Sequence, residues 1–306
     1  MDAETIQVRV VVSGASGLVG RALRRALMQN CYEVLQLVRS KPNGTNQLQW
    51  NPSGIPRIQE PSRLEGCEAA IHLSGASIAG RRWTAHYRQV LVESRVESTA
   101  VIARELAELK SPPKALIVAS AIGIYGNRGD EILDETSKTG SGFLPGLCKA
   151  WEEATLPAEK AGIRVVHARF GIVLAKESGA LAKMLPAFRL GLGGRLGTGR
   201  QWMSWISLTD AVDALLFLLA AEEVAGPVNL TAPNPVTNTD FTLALARQLG
   251  RPSMLPVPET ALKLAFGTMA NETLLASQRV MPSRLISANF RFRHSVLNEA
   301  LRVALE

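Results

Sequence analysis

Three glycines near the start of the chain have a spacing that suits phosphate binding. They fall as Gly14-x-x-Gly17-x-x-Gly20 in the segment SGASGLVG, between a β-branched run and an amphipathic helical pattern. Gly14 would allow a tight turn, Gly17 a close approach to a pyrophosphate, and Gly20 close packing of helix on sheet. The free N–H groups and the positive end of the helix dipole would bind the diphosphate. We call residues 14–20 the glycine cradle and predict a dinucleotide site, with a simple strand-to-helix turn as the alternative.

The second strand pattern, YEVLQLVRS, decides which dinucleotide would bind. The same predicted cofactor site also includes Ser16, Leu18 and Val19 of the cradle. An NAD site has an Asp or Glu about 20 residues after the glycines, where it binds the ribose 2′-hydroxyl. Here that region holds Arg39 and Lys41, and a guanidinium can hold a 2′-phosphate with two N–H donors. We therefore predict NADP(H) as cofactor; the alternative is a solvated basic loop.

The elements that would position this site alternate along the first half of the chain. Short β-branched runs and helical patterns follow one another, as is typical of βαβ units and a parallel sheet. Strand patterns occur at 8–14, 32–40, 69–76, 115–120, 163–174 and 226–232, and long helical patterns at 18–30 and about 85–109. The predicted fold class is α/β, a Rossmann-type doubly wound parallel sheet with a smaller, mostly helical C-terminal substrate lobe.

The pattern becomes irregular beyond Leu174. Residues 190–202 form a glycine-rich stretch without strand or helix periodicity, and long loops in compact domains are often functional. We expect this loop to cover a substrate. Residues 1–175, with 203–231 returning to them, would form the NADP-binding domain, and residues 176–202 and 232–306 the substrate lobe.

Composition narrows the function classes. The 306 residues are 46% hydrophobic and 20% charged, and no apolar run approaches the roughly 18 residues that a spanning helix needs. The net charge is +7, but aromatic residues make up only 5%, which disfavours nucleic-acid binding. The three cysteines, Cys31, Cys67 and Cys148, are widely spaced and predict reduced thiols without a structural metal. The segment MDAETIQ resembles neither a signal nor a transit peptide, so we expect a cytoplasmic protein.

Two further segments, HLSGA and ASAIGIYG, follow later strands and extend the pattern of the cradle. With them the chain resembles the extended short-chain dehydrogenase/reductases, the nucleotide-sugar epimerase-like group. It is most similar to an atypical branch usually labelled epimerase-family protein or NADP-dependent oxidoreductase, on the phrases GRRWT, ESRVEST, SAIGIYG, MLPAFRLGLGG, GTGRQWMSWIS and RVMPSRL. The resemblance implies that Ser74, Gly75 and Ala76 line the adenosine and diphosphate path.

The same resemblance predicts an active site without most of the usual groups. The wider family uses an Asn, a Ser or Thr, a Tyr and a Lys, the last two being four residues apart on one helix face. By motif, the Asn position falls at Arg95, the Ser position at Ala121 and the Tyr position at Pro145. Only Lys149 is kept, and the resemblance implies that it holds the nicotinamide ribose. Neither Ala121 nor Pro145 has a side chain that can move a proton.

Neighbouring residues could replace the missing groups. Ser120 and Tyr125 are the catalytic candidates beside Lys149; the structural alternatives are a packed Tyr125 and a surface pair of Lys149 with Glu153. Arg95 is counted with the cofactor site. The predicted substrate-binding residues, which could hold an anion, polarise a carbonyl or stack, are Arg81, Arg82, Trp83, Arg200 and Trp202. Solvated arginines and core tryptophans, Trp205 included, are the alternatives there, and His72 and His167 are expected to be core histidines.

Two functions fit these observations. The first is an NADP(H)-dependent oxidoreductase or epimerase acting on a small substrate, with phosphorylated and nucleotide-linked compounds as candidates. The alternative is an inactive NADP(H)-binding protein whose loaded form is recognised by a protein partner, and some relatives in this branch are associated with bacterial or plastid division. We expect neither a nucleic-acid partner nor a membrane span, and leave a homodimer or a regulatory partner open.

Overall fold

A computed structural model describes residues 8–306 of the chain; the acidic segment MDAETIQ lies outside the described residues. The strands are β1 (Arg9–Ser13), β2 (Glu33–Val38), β3 (Gln47–Gln49), β4 (Ala69–His72), β5 (Ala115–Ala121), β6 (Ile132–Leu133), β7 (Arg164–Phe170), β8 (Ile172–Leu174), β9 (Trp202–Met203), β10 (Trp205–Ser207), β11 (Gly226–Leu230), β12 (Val236–Thr237) and β13 (Arg279–Val280). The helices are α1 (Leu18–Gln29), α2 (Ala85–Val92), α3 (Ser98–Ala107), α4 (Phe143–Glu153), α5 (Leu156–Lys160), α6 (Gly179–Arg189), α7 (Leu208–Ala220), α8 (Asn238–Leu249), α9 (Glu259–Phe266), α10 (Ser283–Ser287) and α11 (Leu297–Leu305).

Seven strands form one parallel sheet in the spatial order β11-β7-β5-β4-β1-β2-β3. Their apolar runs are buried on both faces, as a sheet covered by helices on each side requires. In the centre, Val11 of β1 lies opposite Leu35 of β2 and Ala70 of β4. The strand order reverses direction next to β1, which is the doubly wound arrangement. The predicted Rossmann-type α/β fold is confirmed.

The helices cover the two faces of the sheet with separate apolar cores. On one face α1 and α7 pack together, with Leu23 and Leu215 fully buried between them and the strands. On the other face α3 and α5 do the same, with Ile102 and Ala158 in the core. Both layers fix the carboxyl ends of the strands, where ligands bind in such sheets.

The C-terminal part of the chain adds a third core beside the sheet. Helices α6, α8 and α11 enclose Trp205, Phe241 and Leu301. Trp205 is fully buried, which agrees with the alternative that it is a core tryptophan. Short pairings of β8 with β10, β9 with β12 and β6 with β13 connect this part to the loops at the sheet edge. The domain boundaries at 175, 203 and 231 stay predictions. Across residues 8–306, every helix is too short or too polar to cross a bilayer.

Two predicted elements are interrupted. The helical stretch at 85–109 contains a π-helical turn at Glu93–Glu97 between α2 and α3. The strand predicted at 163–174 breaks at Gly171, where a Cβ would lie only 2.7 Å from the carbonyl oxygen of Ser204. The chain crosses another segment there too closely for a side chain, so β7 ends and β8 begins in a different small sheet.

Candidate functional site

The glycine cradle forms the turn from β1 into α1 at the carboxyl end of the sheet. Gly14 has a φ of +72°, and a Cβ on it would lie 2.7 Å from the carbonyl carbon of Leu73. A Cβ on Gly20 would lie 2.2 Å from the carbonyl oxygen of Gly14. Gly17 is the N-cap of α1 and has no side chain to bind the first N–H groups of the helix. The cradle therefore suits a diphosphate at the start of α1.

A cleft of about 1050 Å³ runs from the cradle along the ends of β1, β2 and β4. Its walls include residues 14–17, 36–40 and 73–76, together with Val90, Glu93, Ser94 and Ser98. Ser16 thus lines the cleft, whereas Leu18, Val19 and Gly20 lie in the first turn of α1 outside the lining. The cleft is at the upper end of the size range of small-molecule sites.

Two arginines lie at the β2 end of the cleft. Arg39 is on the wall, whereas Lys41 is exposed outside it. Arg24 of α1, which is absent from the predicted site, is also on the wall. Its Nη1 donates to Oε1 of Gln36 at 3.3 Å, and its Nε is buried without a hydrogen-bond partner in residues 8–306. An orphaned guanidinium N–H fits an anionic group here. Helical spacing could have revealed Arg24, because it lies seven residues after Gly17 on one face of α1.

At the other end of the cleft, away from Arg24 and Arg39, Ser74, Gly75 and Ala76 form the wall. The adenosine part of the path that the resemblance implies for them would lie at the opposite, arginine end, so their role stays a prediction. Arg95 lies directly behind them and is buried. Its Nη2 donates to the carbonyl oxygen of Ala76 at 2.7 Å, and its guanidinium carbon lies 5.2 Å from the centroid of the Trp151 ring. Burial lowers the pKa of Arg95. The structure thus places Arg95 beside the cleft, although not in its lining.

Motif alignment predicts that Lys149 of helix α4 faces the cofactor site, but the helix turns other residues towards the sheet. A Cβ on Gly123 would lie 3.6 Å from Cβ of Leu144 and 3.8 Å from Sγ of Cys148, so these two residues face the end of β5. Lys149 is exposed, and its Nζ lies 3.7 Å from Oε1 of Glu153. One residue along a helix is a rotation of about 100°. The placement supports the surface-pair alternative for Lys149 and brings it into no contact with the cleft.

Ser120 and Tyr125 belong to a buried polar network that also contains Glu152, Arg169 and Asn229. The Ser120 hydroxyl donates to Glu152 at 2.6 Å, and Arg169 donates twice to the same carboxylate, at 2.8 Å each. Arg169 also donates to the Tyr125 hydroxyl at 2.9 Å, which in turn donates to Asn229 at 2.8 Å. Burial raises the pKa of Tyr125, against the effect of Arg169. With both hydroxyls occupied and Tyr125 fully buried, the packed alternative is supported.

The predicted substrate residues before α2 do not form one surface. Arg81 and Arg82 are exposed, which agrees with the solvated alternative. Trp83 is buried, donates from Nε1 to the carbonyl oxygen of Ile78 at 2.9 Å and packs edge-on against Phe143 with ring centroids 5.2 Å apart. Trp83 therefore has the environment of a core residue.

Trp202 is half-buried and lies in a polar setting. Its Nε1 donates to Asp130 at 2.8 Å, and the guanidinium carbon of Arg279 lies 4.2 Å from its ring centroid. The Nε of Arg279 is buried without a hydrogen-bond partner in the described part of the chain. Arg200 is exposed two residues earlier. Arg279 is missing from the predicted site, although the phrase RVMPSRL contains it.

The two histidines that the sequence assigns to the core, His72 and His167, are both buried. His72 is fully buried, with its ring nitrogens 2.5 Å from the Ser13 hydroxyl and 3.2 Å from the Ser98 hydroxyl, and burial lowers its pKa to about 3. His167 is also buried, 3.0 Å from the Thr155 hydroxyl. Cys31, Cys67 and Cys148 are free thiols. Residues 8–306 contain no cluster of three or more His, Cys, Asp or Glu side chains that could hold a metal ion.

Comparison with known proteins assigns the family. The sequence model described as the NAD dependent epimerase/dehydratase family matches residues 10–230. The chain belongs to this family. Residues 257–304 of this family member also match a domain of unknown function. The resemblance to the epimerase-like branch is confirmed.

Relatives within the epimerase family align over nearly the full length. The epimerase family protein Mb2239 of Mycobacterium bovis is 46% identical over 96% of this chain and 97% of its own. The human epimerase family protein SDR39U1 is 33% identical over 96% of this chain and 99% of its own. A crystal structure of the human protein with NADPH superposes with a TM-score of 0.88, covering 97% of this chain and 99% of that one. NADPH is the cofactor that Arg39 predicts for this chain.

Proposed function

We propose that the chain binds NADP(H) in the cleft and acts as an atypical oxidoreductase or epimerase-like enzyme. The observation that carries the proposal is the combination of the glycine cradle with Arg24 and Arg39 in one cleft. The cradle would hold the diphosphate, and the two arginines would hold the 2′-phosphate. Gln36 orients Arg24 without neutralising it, as a carboxylate there would do. The bound nicotinamide would exchange a hydride with the substrate.

We place the substrate beside the C-terminal lobe formed by residues 176–202 and 232–306. Arg279 supports this placement, because its guanidinium is stacked on Trp202 and keeps an N–H without a partner in residues 8–306. A stacked guanidinium with free donors suits a phosphate or diphosphate group. The proposed substrates are therefore small phosphorylated or nucleotide-linked compounds.

A second candidate function is favoured by the state of the predicted catalytic groups. The hydroxyls of Ser120 and Tyr125 are both occupied in the buried network, and Lys149 points to solvent. None of these three lines the cleft. A protein that binds NADP(H) and presents the loaded form to a partner, without turnover, would need no proton donor there.

A binding experiment with variants tests the cofactor assignment. NADPH and NADH would be titrated into the wild type, R24Q and R39Q, with K149M as a control because Lys149 is exposed and absent from the wall. A charge-assisted hydrogen bond contributes about 1.5–3 kcal/mol, so we expect NADPH to bind at least about tenfold more tightly than NADH. R24Q and R39Q should reduce the difference between NADPH and NADH affinity, and K149M should leave that difference unchanged. Equal binding of NADH and NADPH to the wild type would overturn the assignment.

Turnover separates the two candidate functions. The NADPH-loaded protein would be incubated with a panel of carbonyl compounds while NADPH absorbance is followed. The NADP⁺-loaded protein would be incubated with a panel of nucleotide sugars while sugar epimer composition is followed, because epimerisation begins with removal of a hydride from the sugar. Consumption of NADPH, or a change of epimer, that is lost in R279Q supports the enzyme. Tight NADPH binding without turnover across the panel supports the binding protein.

A further inference from the structure

Arg95 carries a buried positive charge that forms no ion pair within residues 8–306. Its side chain donates to the carbonyl oxygens of Ala76 at 2.7 Å and Leu91 at 3.4 Å and to the Ser94 hydroxyl at 3.4 Å, and it stacks on Trp151. All of these partners are neutral, and Arg95 is only 7% exposed. Burying an ion without a counter-ion is unfavourable, and buried charges in proteins are usually paired. A cation kept in this state next to a cleft indicates a role in binding.

The surrounding structure fixes this charge in place. The π-helical turn at Glu93–Glu97 positions Arg95, and such turns occur frequently at functional sites. A Cβ on Gly75 would lie 3.3 Å from the guanidinium carbon, so the charge lies directly behind that part of the wall. Burial lowers the pKa of Arg95, but the usual pKa of a guanidinium is so high that Arg95 remains protonated. The cleft therefore has a fixed positive charge behind this end.

The order of features along the cleft indicates which part of a dinucleotide would lie there. The strand order β4-β1-β2 puts Arg39, after β2, at one end of the cleft, the cradle after β1 in the middle and Gly75, after β4, at the other end. The hydrogen bond from Arg24 to Gln36 of β2 puts Arg24 at the Arg39 end. With the 2′-phosphate at the arginines and the diphosphate at the cradle, the nicotinamide half falls at the end next to Arg95. This step rests on the proposed NADP(H) site.

We propose that Arg95 makes the site select the reduced cofactor, NADPH, over NADP⁺. The oxidised nicotinamide ring carries a positive charge that the reduced ring lacks, while the phosphates of the two molecules are the same. Arg95 therefore repels only the oxidised form. Two unit charges about 10 Å apart at an effective dielectric constant of about 20 repel strongly enough to weaken binding roughly tenfold.

One acidic residue at this end acts in the opposite sense. Glu93 lines the cleft, and its Oε1 accepts a hydrogen bond from Gln89 at 2.7 Å on the exposed side of α2. Solvent screens this carboxylate, whereas Arg95 is enclosed by protein. The positive charge is therefore the stronger influence on the nicotinamide end.

A preference for NADPH would make the site favour reduction over oxidation. A tenfold preference for NADPH raises the reduction potential of the bound two-electron couple by about 30 mV. As an enzyme, the chain would be loaded mainly with the hydride donor and suited to reduction. As a binding protein, its occupancy would report the ratio of NADPH to NADP⁺.

Dissociation constants for NADPH and NADP⁺ test this directly, measured by calorimetry on the wild type, R95M, R95K and R39Q. We expect NADP⁺ to bind the wild type and R95K about tenfold more weakly than NADPH, and the ratio in R95M to approach one. R39Q should weaken both nucleotides by the same factor and leave the ratio unchanged. E93Q should keep or enlarge the preference and provides a second charge change if R95M does not fold.

A wild-type ratio near one, or a preserved ratio in folded R95M, would overturn the proposal while leaving the cofactor site intact. A smaller preference in E93Q than in the wild type would overturn it too. Failure of the wild type to bind either nucleotide would instead overturn the proposed function on which it rests. A merely structural role for Arg95 would weaken both nucleotides equally in R95M and is distinguished by the ratio.

Discussion

Replacing Arg169 alone should destabilise the protein far more than replacing Arg169 and Glu152 together. The two side chains are 8% and 12% exposed and share two hydrogen bonds of 2.8 Å. Burial lowers the pKa of Arg169, but the bonds to Glu152 outweigh it and the net shift is upward, so the pair is ionic. R169M would leave the Glu152 carboxylate buried with only the Ser120 hydroxyl donating to it among the described side chains.

The expected loss of stability depends on whether a variant leaves one charge of the pair buried without its partner. Stranding one member of a buried ion pair costs about 3–5 kcal/mol, and the hydrogen bond from Arg169 to Tyr125 adds about 1 kcal/mol. We therefore expect R169M to lose roughly 4–6 kcal/mol of unfolding free energy, a large part of the stability of an ordinary domain. The double variant E152Q/R169M strands no charge and should lose only about 1–3 kcal/mol.

Urea unfolding followed by circular dichroism, for the wild type, both single variants and the double variant, measures these differences. The reasoning would be refuted if R169M lost less than about 1 kcal/mol, or if the losses of E152Q and R169M simply added in the double variant. No member of the network lines the cleft, so folded R169M should bind NADPH as the wild type does. A large loss of NADPH affinity in folded protein would show that the network belongs to the site.

Three further predictions concern single positions. G14A should abolish NADPH binding, because φ is +72° and the added Cβ would lie 2.7 Å from the backbone of Leu73; near-normal affinity by titration would contradict the cradle geometry. K149M should change NADPH affinity less than about twofold and stability by less than about 0.5 kcal/mol, since an exposed i,i+4 pair contributes little. The His72 pKa is about 3 when folded and about 6.5 when unfolded, so the unfolded state binds more protons between these values and stability falls as pH drops through that window. Protonation of His72 in the unfolded state should lower the unfolding free energy by about 2 kcal/mol at pH 5, and H72Q should lack this pH-dependent loss. Identical pH dependence of the unfolding free energy in the wild type and H72Q would refute the prediction.

The features predictable from the sequence are those set by short-range spacing. The cradle, the buried strands and Arg39 each depend on neighbours within about 20 residues. The structure has the strands and the turn of the cradle where the sequence predicts them and Arg39 on the cleft wall, and the role of Arg39 stays a prediction. Helical spacing from Gly17 could have placed Arg24 near the cradle, but its position beside β2 depends on Gln36, which a different element brings alongside. The sequence makes Tyr125 a catalytic candidate by its place in a motif, but its hydrogen-bond partners are Arg169 and Asn229, which lie far along the chain. Accessibility arises from tertiary packing and has no local pattern.

The register of α4 shows why a retained residue type is weak evidence for a retained role. Leu144 and Cys148 face the end of β5, and Glu152, one turn further along that face, is held by Arg169 of β7. The buried apolar face of α4 and this ion pair agree on one rotation of the helix, which leaves Lys149 exposed. Pro145 faces the loop at Gly126, where a Cβ would lie 3.3 Å from its ring. A tyrosine restored at 145 would therefore meet that loop, and recovering the familiar pair of groups would require the whole helix to turn against its buried ion pair.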